Sequence, residues 1–166
     1  MKILDKRQIK QKVVRLAYQI IEQNTGASQV WLAGINNNGY AFAQILLEQL
    51  NSIKGHQLSF GITRLRLNPA DPMANEISLE TDMTELAGKT VIIVDDVANT
   101  GRTLFYSFKP FMTNLVSKLQ VAVLIDRKHK SFPVKVDYVG LSLATTIHDN
   151  ILVNLSNEKN WHVEIA

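Results

Sequence analysis

The sequence predicts an α/β protein: a mostly parallel sheet with helices on both faces. Two patterns carry this. Short β-branched runs alternate with segments whose apolar residues recur every three or four positions. Three of the apolar runs then open directly into polar or glycine-containing loops, at Gly34, Asp95 and Asp126. Ligands of open α/β sheets bind beyond the carboxyl ends of the strands, so this pattern marks one edge of the sheet.

Taken in order, Asp5 to Asn24 places Ile9, Val13, Leu16, Ala17, Ile20 and Ile21 on one helical face, with Asp5 as N-cap and Gly26 as the stop. Gln29 to Ala33 is a core strand, Gly34 to Gly39 (GINNNG) a turn, and Tyr40 to Ile53 a second helix. Gln57 to Leu67 reads as a strand, Asn68 to Asn75 as a proline-bearing surface loop, and Glu76 to Glu80 as a short returning strand. Thr90 to Val94 is β-branched throughout, as a strand buried on both faces should be. A loop over Asp95 to Thr103 and a helix over Leu104 to Leu115 follow, then strands at Leu119 to Ile125 and Val136 to Gly140. Ile151 to Leu155 and Trp161 to Ile165 form a terminal hairpin.

Composition narrows the function classes. The 166 residues are 46% hydrophobic and 20% charged, which suits one packed core and excludes a disordered polyelectrolyte. Cysteine is absent, which excludes disulfides, iron–sulfur clusters, thiolate zinc sites and a thiol nucleophile. No apolar run nears the ~20 residues of a membrane span, and MKILDKRQIKQK lacks the apolar segment of a secretion signal. The expectation is a cytoplasmic chain without membrane contact. A net charge of +3 allows an anionic partner without naming one.

The chemistry concentrates in Val91 to Thr103, VIIVDDVANTGRT. A buried strand delivers two adjacent carboxylates, Asp95 and Asp96, and a helix starts a few residues later. Free N–H groups at a helix start favour an anion. Gly101 lets the main chain approach closely, and Thr100 and Thr103 add hydroxyl donors. Each hydrogen bond to a charged group is worth about 1.5–3 kcal/mol, so several together hold a phosphomonoester. The carboxylates accept hydrogen bonds from sugar hydroxyls or order the waters of Mg²⁺. A phosphate cradle beside diol acceptors describes a ribose 5-phosphate pocket. Two other readings compete: a purely structural turn, and the acidic pair of a receiver domain. The second would place the pair after the first strand, with over a hundred residues to follow. Here about seventy remain.

VIIVDDVANTGRT resembles the phosphoribosyl-pyrophosphate signature of the type I phosphoribosyltransferases. The resemblance extends through IIEQNTG, LAGINNNGYAFAQIL and VAVLIDRKHKSFPVKVDYVGLSLATT. It is closest to the branch of bifunctional pyrimidine-operon attenuators with uracil phosphoribosyltransferase activity. It implies one domain over residues 1–166, with about five sheet strands flanked by helices and a small hood from the terminal segments. The implied reaction displaces pyrophosphate from 5-phospho-α-D-ribose 1-diphosphate (PRPP) by a nucleobase, giving a nucleoside monophosphate with Mg²⁺ as cofactor.

The same resemblance assigns roles. Asp95 and Asp96 receive the ribose hydroxyls; Ala98, Asn99, Thr100, Gly101, Arg102 and Thr103 hold the 5′-phosphate. Ile35, Asn36, Asn37, Asn38 and Gly39 form the pyrophosphate loop, and Asn68 to Glu76 the lid. Tyr138, Val139, Gly140 and Leu141 border the base. Asp95, Asp96 and Asp126 approach the metal through water or substrate. Arg66, just before the lid, joins Asp95 and Asp96 as a catalytic residue, with Arg64 near it. Dimers or larger assemblies are implied, and RNA is a further partner of that branch.

Three departures stand out. Asn36, Asn37 and Asn38 replace the basic residues of a G-I-K-T-R-G pattern, at a cost of a few kcal/mol in transition-state stabilisation if one or two cations are lost. Asn99 stands where purine-using relatives carry an acid, which argues against a purine. Thr145-Thr146-Ile147 replaces an S-R-S triplet. The sequence therefore supports an enzyme with uracil as the acceptor and, as the alternative, a PRPP- or nucleotide-sensing regulator with weak or no catalysis.

Weaker signals remain. Lys2, Lys6, Arg7, Lys10, Lys12 and Arg15 make the first helix basic. They read either as an RNA-facing surface or as a solvated face, and the lack of aromatic residues for base stacking argues for the latter. Arg127, Lys128, His129 and Lys130 form a second basic cluster, facing pyrophosphate, RNA or only solvent. Trp31 and Trp161 read as packing residues.

Overall fold

The structure is a computed structural model that describes residues 1–146 and 148–166. The chain runs β1 (Lys2–Leu4), α1 (Lys6–Gln23), β2 (Gln29–Ile35), α2 (Asn36–Ser52), β3 (Ser59–Arg66), β4 (Ser78–Leu79), α3 (Met83–Leu86), β5 (Thr90–Ala98), α4 (Arg102–Ser107), β6 (Lys118–Arg127), β7 (Tyr138–Leu143), β8 (Ile151–Asn154) and β9 (His162–Ile165). The main sheet has the order β4-β3-β2-β5-β6-β7. Its five long strands are parallel, as expected. The sixth, β4, is a two-residue antiparallel edge on β3.

The sheet is buried on both faces because the middles of its central strands are apolar at successive positions, as at Val91–Val94 of β5 and Val121–Ile125 of β6. Neighbouring residues point to opposite sides. Leu32, Ile92 and Leu124 pack with Ile9, Leu16 and Ile20 of α1 and Leu46 and Leu50 of α2. Ala33, Ile93 and Val123 pack with Leu86, Leu104 and Phe111 on the other face. Asp5 caps α1 as expected: its carboxylate accepts from the Gln8 N–H, and the Gln8 side chain accepts from the Asp5 N–H, both at 2.9 Å. Such a reciprocal cap is worth about 0.5–2 kcal/mol.

The terminal hairpin is present as β8 and β9, and β1 joins it on the far side of β9 to give a separate three-stranded antiparallel sheet. Lys6 and Lys10 of α1 are like-charged neighbours one helical turn apart, but they straddle Glu158 of this hood at 3.2 and 2.8 Å. Part of the basic face of α1 is thus turned to the hood. Trp161 packs against the first core layer and Trp31 against the second.

Four segments differ from the sequence expectation. The helix predicted over Leu104 to Leu115 is α4 alone, followed by a 3-10 turn at Lys109–Met112. Pro110 has no N–H to continue the ladder. The GINNNG segment is no free turn: Gly34 and Ile35 extend β2, and Asn36 to Gly39 are the first turn of α2. β5 continues through Asp95 and Asp96 to Ala98. The last parallel strand lies at Tyr138–Leu143, later than Val136 to Gly140. Ile147 of the Thr-Thr-Ile triplet lies outside the described residues.

Candidate active site

β5 carries its acid pair to the carboxyl edge of the sheet while still hydrogen-bonded to β6, where Asp95 pairs with Val123 and Ala98 with Asp126. Asp95 is only 9% exposed. Its Oδ1 accepts from the Asp96 N–H at 2.9 Å, and Asp96 Oδ1 accepts from the Val97 N–H at 2.8 Å. Burial and then the neighbouring Asp96 charge push the Asp95 carboxyl well above the ordinary range. Burial raises Asp96 too, against the hydrogen bonds it accepts. Among the described residues, no lysine, arginine or histidine lies within ion-pair distance of either. Two adjacent carboxylates that each accept one backbone N–H and face no cation keep acceptor capacity to spare, suited to hydroxyl donors or a hydrated metal.

Residues 98–103 wrap a small hollow of about 50 Å³ beside Asp95. Gly101 caps α4 at φ +86°, a left-handed conformation that favours glycine. The Thr100 carbonyl is held from below by the N–H groups of Ser131 and Phe132 at 2.9 and 3.1 Å. The loop is thereby fixed from the β6–β7 connection.

Facing the acids across a cleft of about 480 Å³ is the start of α2, with Asn37 and Asn38 in its lining beside Asp95, Asp96, Asn99 and Thr103. No side chain caps α2, so its first N–H groups stay free for an anion. The three asparagines have separate duties. Asn36, at φ +51°, donates to the Leu67 carbonyl (2.9 Å) and accepts from the Leu67 N–H (3.1 Å), stapling α2 to the end of β3. Asn37 Oδ1 accepts from Arg64 at 3.3 Å, whereas Asn38 simply borders the cleft. Ile35 is buried beneath this turn, and Gly39 packs on β5, where a Cβ would lie 2.5 Å from the Val94 carbonyl oxygen.

Several assigned residues lie elsewhere. Asp126, expected near the metal, is paired with Lys130 at 2.7 Å. Arg66 points to Glu80 at 3.0 Å, and it is Arg64, not Arg66, that reaches the Asn37 turn. Tyr138 opens β7 beside Ala122, deep in the sheet, whereas Asp126 at the edge pairs with Ser142. Tyr138 is fully buried; its hydroxyl donates to Gln120 at 2.7 Å and accepts from Asn24 at 3.2 Å. The Val139 and Gly140 carbonyls accept from Arg15 of α1 at 3.2 and 2.6 Å. Of the four base-bordering positions, only Leu141 lies near the edge, level with Ile125.

What occupies that edge instead is Arg127. It donates to the Asn99 side chain (3.3 Å), the Thr145 hydroxyl (2.7 Å) and the Thr146 carbonyl (2.6 Å). In the sequence Arg127 stands only in a basic cluster, because its partners are 18 to 28 residues away.

A family model described as phosphoribosyl transferase domain matches residues 1–157. The chain belongs to the phosphoribosyltransferase domain family. Its activity class is phosphoribosyl transfer to a base, with the base left open. The chain is 35% identical over 162 residues to the "Bifunctional protein PyrR" of Clostridium botulinum, covering 93% of this chain and 88% of that one. It is 34% identical over 155 residues to a "Pyrimidine operon regulatory protein" of Lactococcus lactis, with coverage of 93% and 89%. The fold is shared with the hypoxanthine phosphoribosyltransferase of Trypanosoma cruzi, at a TM-score of 0.78 and 16% identity over 99% of this chain and 94% of that one. A hypoxanthine-guanine phosphoribosyltransferase of Bacillus anthracis gives 0.77 and 18%, covering 100% and 96%.

The family implies Mg²⁺. Among the described residues no group of three or more histidine or carboxylate side chains is placed to cage a metal. Two carboxylates do line the cleft, Asp95 and Asp96. That set fits a Mg²⁺ carried mainly by substrate phosphates and its own waters, and Asp126 is not part of it.

Proposed function

We propose that this chain is a Mg²⁺-dependent phosphoribosyltransferase that uses PRPP and uracil and releases pyrophosphate. One observation carries the reading: the uncapped first turn of α2 and the Asp95–Asp96 pair face each other across a single cleft that also reaches Asn99 and Thr103. In this reading residues 98–103 hold the 5′-phosphate and Asp95 and Asp96 accept from the ribose hydroxyls. The α2 turn then receives the pyrophosphate. Mg²⁺ supplies charge neutralisation on the leaving pyrophosphate. The chain itself orients the sugar between the two anion sites, so that C1 faces the base side of the cleft. There Asn99 has no acid to accept a purine proton, and the Arg127 guanidinium fixes its amide. The missing acid supports a pyrimidine.

A second reading, a weakly catalytic or non-catalytic regulator that senses PRPP or nucleotide and binds RNA, is favoured by the amide-only α2 turn and by the relatives named as pyrimidine operon regulators. Dimers or larger assemblies and a cytoplasmic location go with either reading. Mixing the protein with Mg²⁺, PRPP and, in turn, uracil, hypoxanthine, guanine and xanthine separates them. Pyrophosphate release with uracil alone is expected. Saturable PRPP binding without turnover on any base would leave only the regulator. Asp96→Asn should weaken UMP binding at least tenfold with the fold intact, since one charged acceptor is worth about 1.5–3 kcal/mol; unchanged affinity would displace the pocket.

A further inference from the structure

We propose that Arg64 is a positioning residue that makes the amide-only turn of α2 competent for pyrophosphate. It does so by turning the Asn37 amide and lending it positive charge. This rests on the reading of that turn as the pyrophosphate site.

Arg64 leaves β3 level with Gly34 of β2. Its guanidinium carbon lies 4.1 Å from the centroid of the Tyr40 ring, one residue beyond the Asn36–Gly39 turn. A cation stacked on an aromatic face is held in position by the ring quadrupole. From there its Nη1 donates to Asn37 Oδ1 at 3.3 Å. A guanidinium has donors only, so it fixes which end of the amide it meets. The Asn37 carbonyl oxygen is consumed, and its NH₂ group, with two donors, is turned away from the arginine. Asn37 is a cleft-lining residue. The result is a neutral side chain presented donor-first and polarised by an adjoining cation.

The local charge supports this. Arg64 and Arg66 share one carboxylate, Glu80, but unequally: Arg66 is at 3.0 Å and Arg64 Nε at 3.9 Å. Two cations against one anion leave one positive charge at the root of the turn. It lies on the less exposed residue, 22% for the Arg64 side chain against 49% for Arg66. Arg64 Nε is itself buried without a hydrogen-bond partner. A partly desolvated charge beside a hydrogen-bond donor is screened less than a surface lysine would be. The lost basic residues of the turn are thus replaced from the neighbouring strand.

The test compares two probes by calorimetry: inorganic pyrophosphate with Mg²⁺, and UMP, which in this reading fills the ribose phosphate and base subsites and leaves the α2 turn empty. Arg64→Met should lower pyrophosphate affinity about tenfold while UMP affinity stays within twofold. Arg64→Lys, which keeps the charge but loses the planar fork, should fall between. Because Arg64 acts through Asn37, the Arg64→Met/Asn37→Ala pair should be no weaker than the worse single variant. Asn38→Arg should restore pyrophosphate affinity to Arg64→Met. Equal losses for both probes would reduce Arg64 to a structural residue and overturn the proposal, as would an unchanged pyrophosphate affinity or strictly additive losses. A native chain that binds UMP but not pyrophosphate overturns this proposal alone. One that binds neither overturns the reading of the whole site.

Discussion

Arg102, on the first turn of α4, donates through Nη2 to the main-chain oxygen of Pro69, 33 residues earlier, and to that of Ala70 at 3.2 Å. The loop assigned to the phosphate therefore holds down the segment assigned as the lid. The two are joined by a side chain rather than by the sheet.

Arg102→Ala should free residues 68–76, most of which are exposed. Limited proteolysis is expected to nick this segment several-fold faster than in the native chain. Solvent-exposed hydrogen bonds contribute about 0.5–1.5 kcal/mol, so the melting temperature should fall by no more than about 5 °C. Unchanged cleavage would show that Pro72 and Ile77, both buried, anchor the segment without the arginine.

Asp95 gives a pH dependence of stability. Burial and the Asp96 charge raise it, so the folded chain keeps a proton that the unfolded chain releases. Between the ordinary and the raised value the native state binds more protons, and stability declines as pH rises through that window. Asp95→Asn removes the penalty. Its melting temperature should exceed that of the native chain at neutral pH, by about 2–4 °C per kcal/mol relieved. The advantage should vanish below about pH 4, while UMP affinity drops at neutral pH. Melting curves from pH 4 to 8 check the sign.

Gly39→Ala should couple a fold defect to a site defect. The added methyl would lie 2.5 Å from the Val94 carbonyl oxygen and 3.3 Å from both Cα and Oδ1 of Asp95. Overpacking of this kind costs about 1–3 kcal/mol, and relief requires α2 to move off the acid pair. A lowered melting temperature together with weakened UMP and pyrophosphate binding is expected. Native affinity in a destabilised variant would mean that the turn moves independently of Asp95.

Tyr138→Phe separates structure from recognition. The hydroxyl sits between Asn24 and Gln120 in the core, and its loss leaves two polar groups short of a partner, at about 1–3 kcal/mol. Stability should fall, while base preference and UMP affinity stay native. A changed base preference would return Tyr138 to the base pocket.

The sequence by itself determined the class of sheet, the face that α1 buries and the edge to which β5 carries its acid pair. These are local properties: the 3.6 period of α1, the β-branched run of β5 and the acids that follow Val94 are all written in consecutive residues. Only the tertiary structure decided what depends on register and on partners far apart in the chain. It sank Tyr138 below the edge and joined Arg127 to Asn99. It brought β1 into the hood, and it chose Arg64 over Arg66 as the neighbour of Asn37. No window of consecutive residues encodes which strand end is level with which, and there the side chains of β3, α2 and β6 meet or miss one another.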